Sequence, residues 1–197
     1  MATKTTYTVK FRRNREGKTN YKKRLQHLLS EKQRLVIRRS LRVIRIQLIS
    51  YTPQGDRVNT CVESRMLAKY GWKGSYNSIP AAFLTGLLLA QKAREKGIKE
   101  CICDLGNASS MPGGVLFAAL SGAVTGGLTI PVNNKVFPKQ ERIEGKHIAE
   151  YAKKLKEKNE TVYKRQFAQY LKNNTIPEDI PNMFQTVKAK IVGANHG

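Results

Sequence analysis

Acidic residues are what this sequence has least of. Asp and Glu number 14 against 36 Lys and Arg, giving a formal net charge of +22. A field of that size is foreign to an ordinary small-molecule enzyme and points to nucleic acid or an anionic membrane. Histidines are equally scarce, at His27, His147 and His196. They fall in a basic stretch, a C-terminal helix pattern and the chain end, so no catalytic set assembles around them. Ser109 and Ser110 lack the frame of a nucleophile elbow. Asp104 ends a buried strand pattern, a place that can be catalytic, with no base or nucleophile beside it in sequence. The expectation is a protein that is not an enzyme.

Cysteines are three, Cys61, Cys101 and Cys103. An odd count without pairable spacing argues against a disulfide framework. Cys101 and Cys103 are read as buried small hydrophobes, the alternative being a zinc site that has no second ligand pair. A reducing, cytoplasmic compartment is expected, and no cofactor. Long apolar runs are also missing. The longest, Ile79 to Ala90, is far short of the roughly 20 residues of a membrane-spanning helix. The polar, charged start has no apolar core of a signal peptide, so none is expected.

What is present is concentrated positive charge. From Lys10 to Arg24 the only acid is Glu16, and through residue 45 only Glu31 joins it. Cations so crowded repel one another, and a polyanion relieves that repulsion while releasing its counterions. Guanidinium forks, ammoniums and the two aromatics Phe11 and Tyr21 suit a phosphate backbone with unpaired bases near it. A solvated basic tail is the plain alternative. Further on, Arg38, Arg39, Arg42 and Arg45 lie on or beside a hairpin. Burying so many arginines unpaired is prohibitive, so they are expected to face solvent or an anion and extend the basic stretch into one electropositive face. Trp72 beside Lys73 is read as a core plug or a stacking platform.

The chain reads as an α+β fold: an antiparallel meander, then helix, strand and helix, with the helices packed on the sheet. Residues 1–9 form a leader. Tyr21, Leu25, Leu28 and Leu29 recur at helical spacing. Strands are expected over 35–39, 43–50 and 57–63, with Ser40-Leu41-Arg42 and Thr52-Pro53-Gln54-Gly55-Asp56 as turns. In the second strand Ile44, Ile46 and Leu48 should face the core, and in the third Val58, Thr60 and Val62 should share one side. Ser78 caps a helix with Pro80 in its first turn, and Gly97 closes it. A strand over 100–105, a Gly-rich turn from Gly106 to Gly114, a helix to Thr125 and a short strand over 128–132 follow. The turn matches neither dinucleotide nor P-loop spacing and is read as close packing. Charged amphipathic patterns fill the chain from residue 141. The expected division is a basic arm over 1–30, an α+β core over 31–140 and a helical C-terminal extension over 141–197.

Several motifs also resemble one known family. They are Phe11-Arg12-Arg13-x-Arg15-Glu16-Gly17-Lys18-Thr19-x-Tyr21-x-x-Arg24-Leu25, Tyr70-Gly71-Trp72-Lys73-Gly74, Pro80-Ala81-Ala82-Phe83-Leu84-Thr85-Gly86 and Gly145-Lys146-His147-Ile148-Ala149-Glu150-Tyr151. Together they resemble large-subunit ribosomal protein eighteen, protein five in eukaryotes. The extension makes the chain similar to the archaeal form. The resemblance implies a structural constituent of the large ribosomal subunit. It would bind 5S rRNA and attach it to large-subunit rRNA in the central protuberance, beside neighbouring ribosomal proteins and without a membrane or small-molecule substrate. It implies RNA contacts by Arg12, Arg13, Arg15, Lys18, Tyr21 and Arg24 in the arm, and by Arg38, Ser40 and Arg45 on the hairpin; Lys22, Arg42 and Lys73 are further RNA-binding candidates. Asn14 and Asn20 depart from the Arg and Asp common in that family. The competing readings are an unselective basic RNA binder and an RNA-processing enzyme with a basic docking arm.

Overall fold

A computed structural model describes residues 8–109 and 111–193. Residues 1–7 of the expected leader, Ser110 and His196 lie outside the described residues. Helix α1 spans Arg12–Arg15 and α2 spans Tyr21–Leu29. The strands β1 (Arg34–Arg39), β2 (Ile44–Thr52) and β3 (Gly55–Glu63) follow as an antiparallel meander. A 3₁₀ segment, Ser64–Tyr70, leads to α3 (Ile79–Glu95). Then come β4 (Ile102–Asp104) and α4 (Val115–Thr125). The remainder is helical: α5 (Gln140–Glu144), α6 (Lys146–Lys158), α7 (Glu160–Gln166), α8 (Ala168–Lys172) and α9 (Ile180–Gly193). The sheet order is β3-β2-β1-β4, with β4 parallel to β1.

Cross-strand partners share a face of a sheet. Leu35 opposite Leu48 and Ile37 opposite Ile46 are fully buried, with Ile44 and Val62 beside them. This face carries α3. The Ser78 hydroxyl caps α3 by accepting from the Ala81 N–H, and Gly97 leaves it at φ +71°. Every residue from Ile79 to Ala90 is buried, as expected of a helix that is apolar all round. It packs against the sheet, α4, α5 and α9. Backbones touch at the α3–α4 crossing: a Cβ on Gly86 would overlap the Ala119 carbonyl, and one on Gly122 the Phe83 carbonyl. In α9, Ile180, Phe184, Val187 and Ile191 recur on one face and complete the same core, with Phe184 stacked 5.8 Å from Phe83. Trp72 is a core plug, and its indole N–H donates to Ser75 O at 3.3 Å.

Four local expectations are corrected. The segment before Tyr21 contains a helical turn, α1, which the charge density did not suggest; Glu16 pairs with Arg12 and Lys18 there, and Phe11 stacks on Tyr21 at 5.2 Å. Val58 does not join Thr60 and Val62 in the core. An irregularity in β2–β3 pairing between Leu48 and Ile49 leaves Asn59 out of the ladder, so Val58 pairs with Ile49 on the opposite face. The strand expected over 100–105 is shorter, Ile102–Asp104. The segment 128–132 makes one bridge, Thr129 to Glu100, and no strand; Pro131 has no N–H to continue the ladder.

Candidate nucleic-acid interface

The face of the sheet turned away from α3 is polar. It carries Arg34, Val36 and Arg38 from β1, opposite Ile49, Gln47 and Arg45 from β2. Arg38 and Arg45 are direct cross-strand partners, a repulsive arrangement unless each has an acid. Each has one. Arg38 Nη2 lies 3.1 Å from Asp104 Oδ1, and Arg45 Nη2 lies 3.7 Å from Glu63 Oε1.

A continuous ion chain crosses this face. Arg24 on α2 reaches Asp56 Oδ1 at 3.0 Å. The same oxygen is 2.7 Å from Nη2 of the buried Arg34, whose Nη1 lies 3.4 Å from Asp104 Oδ2. Arg38 closes the series, donating also to the Asp104 carbonyl at 2.8 Å. His27 Nδ1 of α2 sits 3.9 Å from Asp104 Oδ2. Asp56 and Asp104 thus hold three arginines, one from α2 and two from β1. Burial alone would raise the Asp56 pKa, yet Arg34 and Arg24 outweigh it and hold the carboxyl below its ordinary range.

The chain of pairs fixes α2 on the sheet. The Asn20 side chain caps this helix by accepting from the Lys23 N–H at 3.1 Å, a task to which Asn is as well suited as Asp. The Gly106–Gly114 turn buttresses the arm from the other side. Gly106 N–H donates to Asp104 Oδ1 at 2.8 Å, and the Asn107 amide donates to the Gly17 carbonyl. This supports the close-packing reading of that turn. Between arm, helix and sheet lies a cavity of about 590 Å³. Arg34, Asp56 and Asp104 line it, and Arg13, Lys18 and Lys23 add cations.

The expected site residues divide into groups. Arg13, Lys18, Arg24 and Arg38 line this cavity. Arg12, Arg15 and Lys22 are exposed on the arm beside them, Tyr21 is half-buried against Phe11, and Arg45 is exposed on the sheet. Arg42 and Lys73 line a separate groove. Ser40 has its hydroxyl engaged in the hairpin turn, donating to Val43 O at 2.9 Å and accepting from Val43 N–H at 3.1 Å. Sequence reasoning missed Arg34, Asp56, Asn107, Lys23 and His27, and read Asp104 only as a catalytic possibility. The available signal was the isolation of Asp56 and Asp104 among so many cations.

Six Lys or Arg side chains and two acids line the cavity, so its charge is net positive. Cys103 lines it, but burial first and then Asp104 push its thiol up to about 12. Burial and the neighbouring Cys103 do the same to Cys101. Both are held as neutral thiols near pH 7, which disfavours nucleophilic attack. Residues 5–100, about half of the chain, match the family described as ribosomal large subunit proteins 60S L5 and 50S L18. The chain belongs to this ribosomal family. Members of the L5/L18 family are structural proteins of the large subunit, not a class of enzymes, and their setting is ribosomal RNA and other ribosomal proteins. Among the described residues no helix is long and apolar enough to cross a membrane.

Proposed function

We propose that this L5/L18-family chain binds 5S rRNA with its basic arm and open sheet face, and fastens it to large-subunit rRNA in the central protuberance. The observation that carries the reading is the ion chain from Arg24 to Arg38. It uses the scarce acids to hold a cationic helix against a cationic sheet, leaving the outer cations for a polyanion. In this reading residues 1–30 are the RNA-binding arm and 31–140 the scaffold that orients it. Residues 141–197 are an extension of the archaeal kind, whose last helix also completes the core. Arg12, Arg13, Arg15, Lys18, Lys22 and Arg45 neutralise phosphates. Phe11, 73% exposed and tilted on Tyr21, offers a stacking surface to an unpaired base. Arg24 and Arg38 bind RNA with only part of their guanidinium, the rest being held by Asp56 and Asp104.

Salt dependence tests this. Removing one cation that neutralises a phosphate should reduce the magnitude of the log–log salt slope of 5S rRNA binding by about 0.7 to 0.9. Arg12→Ala with Arg13→Ala should therefore flatten the slope and weaken binding. An unchanged slope removes the arm from the interface.

A further inference from the structure

A second groove, of about 530 Å³, opens where the loop after Trp72 meets α7 and α8. It shares no lining residue with the arm cavity. Arg42, from the β1–β2 turn, and Lys73 supply its charge, and no described acid lines it. Its other wall presents Gln166, Gln169 and Asn173, all exposed. Among the described residues the Gln166 and Gln169 amides make no hydrogen bond, so each offers a donor and an acceptor side by side. Tyr76 and Tyr170 provide aromatic rings.

The walls are locked together. The Ser75 N–H donates to the Tyr170 hydroxyl at 3.1 Å, and the Asn173 amide donates to the Lys73 carbonyl at 3.3 Å. Ser75 O accepts from both the Trp72 indole and the Ser78 hydroxyl. Gly74 lies on the Trp72 ring so closely that a Cβ would come within 3.0 Å of it. The groove is therefore preformed, which lowers the ordering cost of binding.

We propose that this groove takes an unpaired nucleotide of ribosomal RNA: its phosphate between Arg42 and Lys73, its base edge on Gln166 and Gln169, its face on a tyrosine. The charge favours an anion, and paired amides beside aromatic rings are the means by which proteins read splayed-out bases. The inference rests on the reading that the chain binds rRNA. It adds an RNA grip made by the C-terminal extension and independent of the arm, so that one chain holds RNA at two places.

The test is ultraviolet crosslinking of the full chain to a mixture of 5S and large-subunit rRNA, with crosslinked peptides identified by mass spectrometry, alongside filter binding. The variant is Gln166→Ala with Gln169→Ala, exposed changes that favour helix and leave the net charge alone. Nucleotide should appear on peptides carrying Tyr76 or Tyr170. In the variant that adduct should vanish and affinity should fall about 5- to 150-fold, the scale of one base-edge interaction. Arm adducts should persist. Arm adducts without groove adducts, together with unchanged affinity of the variant, overturn the groove and leave the arm reading standing. No adduct at either place overturns both. Protection of the groove by polyglutamate but not by rRNA would give it to an acidic protein segment, and also overturns the proposal.

Discussion

Replacing Asp56 with Ala raises the net charge of an already basic protein. Charge counting alone then predicts tighter binding to RNA. The structure predicts the reverse. Asp56 Oδ1 is the shared partner of Arg24 at 3.0 Å and Arg34 at 2.7 Å. Without it, Arg34 keeps one acid, Asp104 at 3.4 Å, and its guanidinium stays almost wholly inside the protein. Leaving a buried charge unpaired costs about 3–5 kcal/mol. The Asp56 side chain is 29% exposed and Asp104 remains, so about 2–3 kcal/mol is the expected loss. In a chain of this size that lowers the melting temperature by about 4–12 °C. Freed from Asp56, α2 loses a tether to the sheet, and 5S rRNA affinity should weaken at physiological salt. Thermal unfolding followed by circular dichroism, with filter binding on the same samples, reads both. Asp179→Ala removes an exposed acid outside any ion pair among the described residues, and serves as the charge control. An Asp56 variant with unchanged melting temperature, or one that binds RNA more tightly in step with the control, would refute the anchoring role.

Other consequences are equally specific. Gly86→Ala should lower stability by about 3 kcal/mol or more, because its methyl meets backbone that cannot step aside; Gly193→Ala, with open space around it, should not. Arg45→Ala should leave the melting temperature nearly unchanged, since its pair with Glu63 is long and exposed, while flattening the salt slope of RNA binding by about 0.7 to 0.9. Arg38→Glu should lose both stability and affinity, because the new carboxylate would face Asp104. Acid should loosen the arm. The folded Asp56 carboxyl is depressed, so its contribution is present above about pH 4 and fades as pH falls through the lower folded value. Melting temperature followed downward from pH 6 should fall more steeply below pH 4 in the native chain than in Asp56→Asn.

Much of the fold was legible because its signals are local. Ser78 and Pro80 mark the start of α3 and Gly97 its end, and the period of Tyr21, Leu25 and Leu28 gives α2 its boundaries. The orientation of α2 was not legible. Its Leu25 and Leu29 face outward, 58% and 73% exposed, while Arg24 and His27 turn inward. What turns the helix over is two acids that arrive 32 and 77 residues after Arg24 and His27 respectively, and no periodicity reports a pairing of that range. The irregularity at Leu48 and Ile49 was likewise hidden, since Val58, Thr60 and Val62 alternate flawlessly in sequence. The site was half legible. Charge density found the arm, because electrostatics needs no register. It could not separate Ser40, held by its own turn, from Arg45, open on the sheet, nor place Arg42 and Lys73 in a groove with a helix pair some 100 residues away.

Filter binding of the chain to 5S rRNA over a range of salt concentrations, with tRNA as competitor of similar charge, tests the central claim most directly. A preference for 5S rRNA that persists at physiological salt, on a slope that falls with the arm cations, is the predicted result. Equal competition by tRNA at every salt concentration would contradict it, and would leave a basic protein that binds RNA by charge alone.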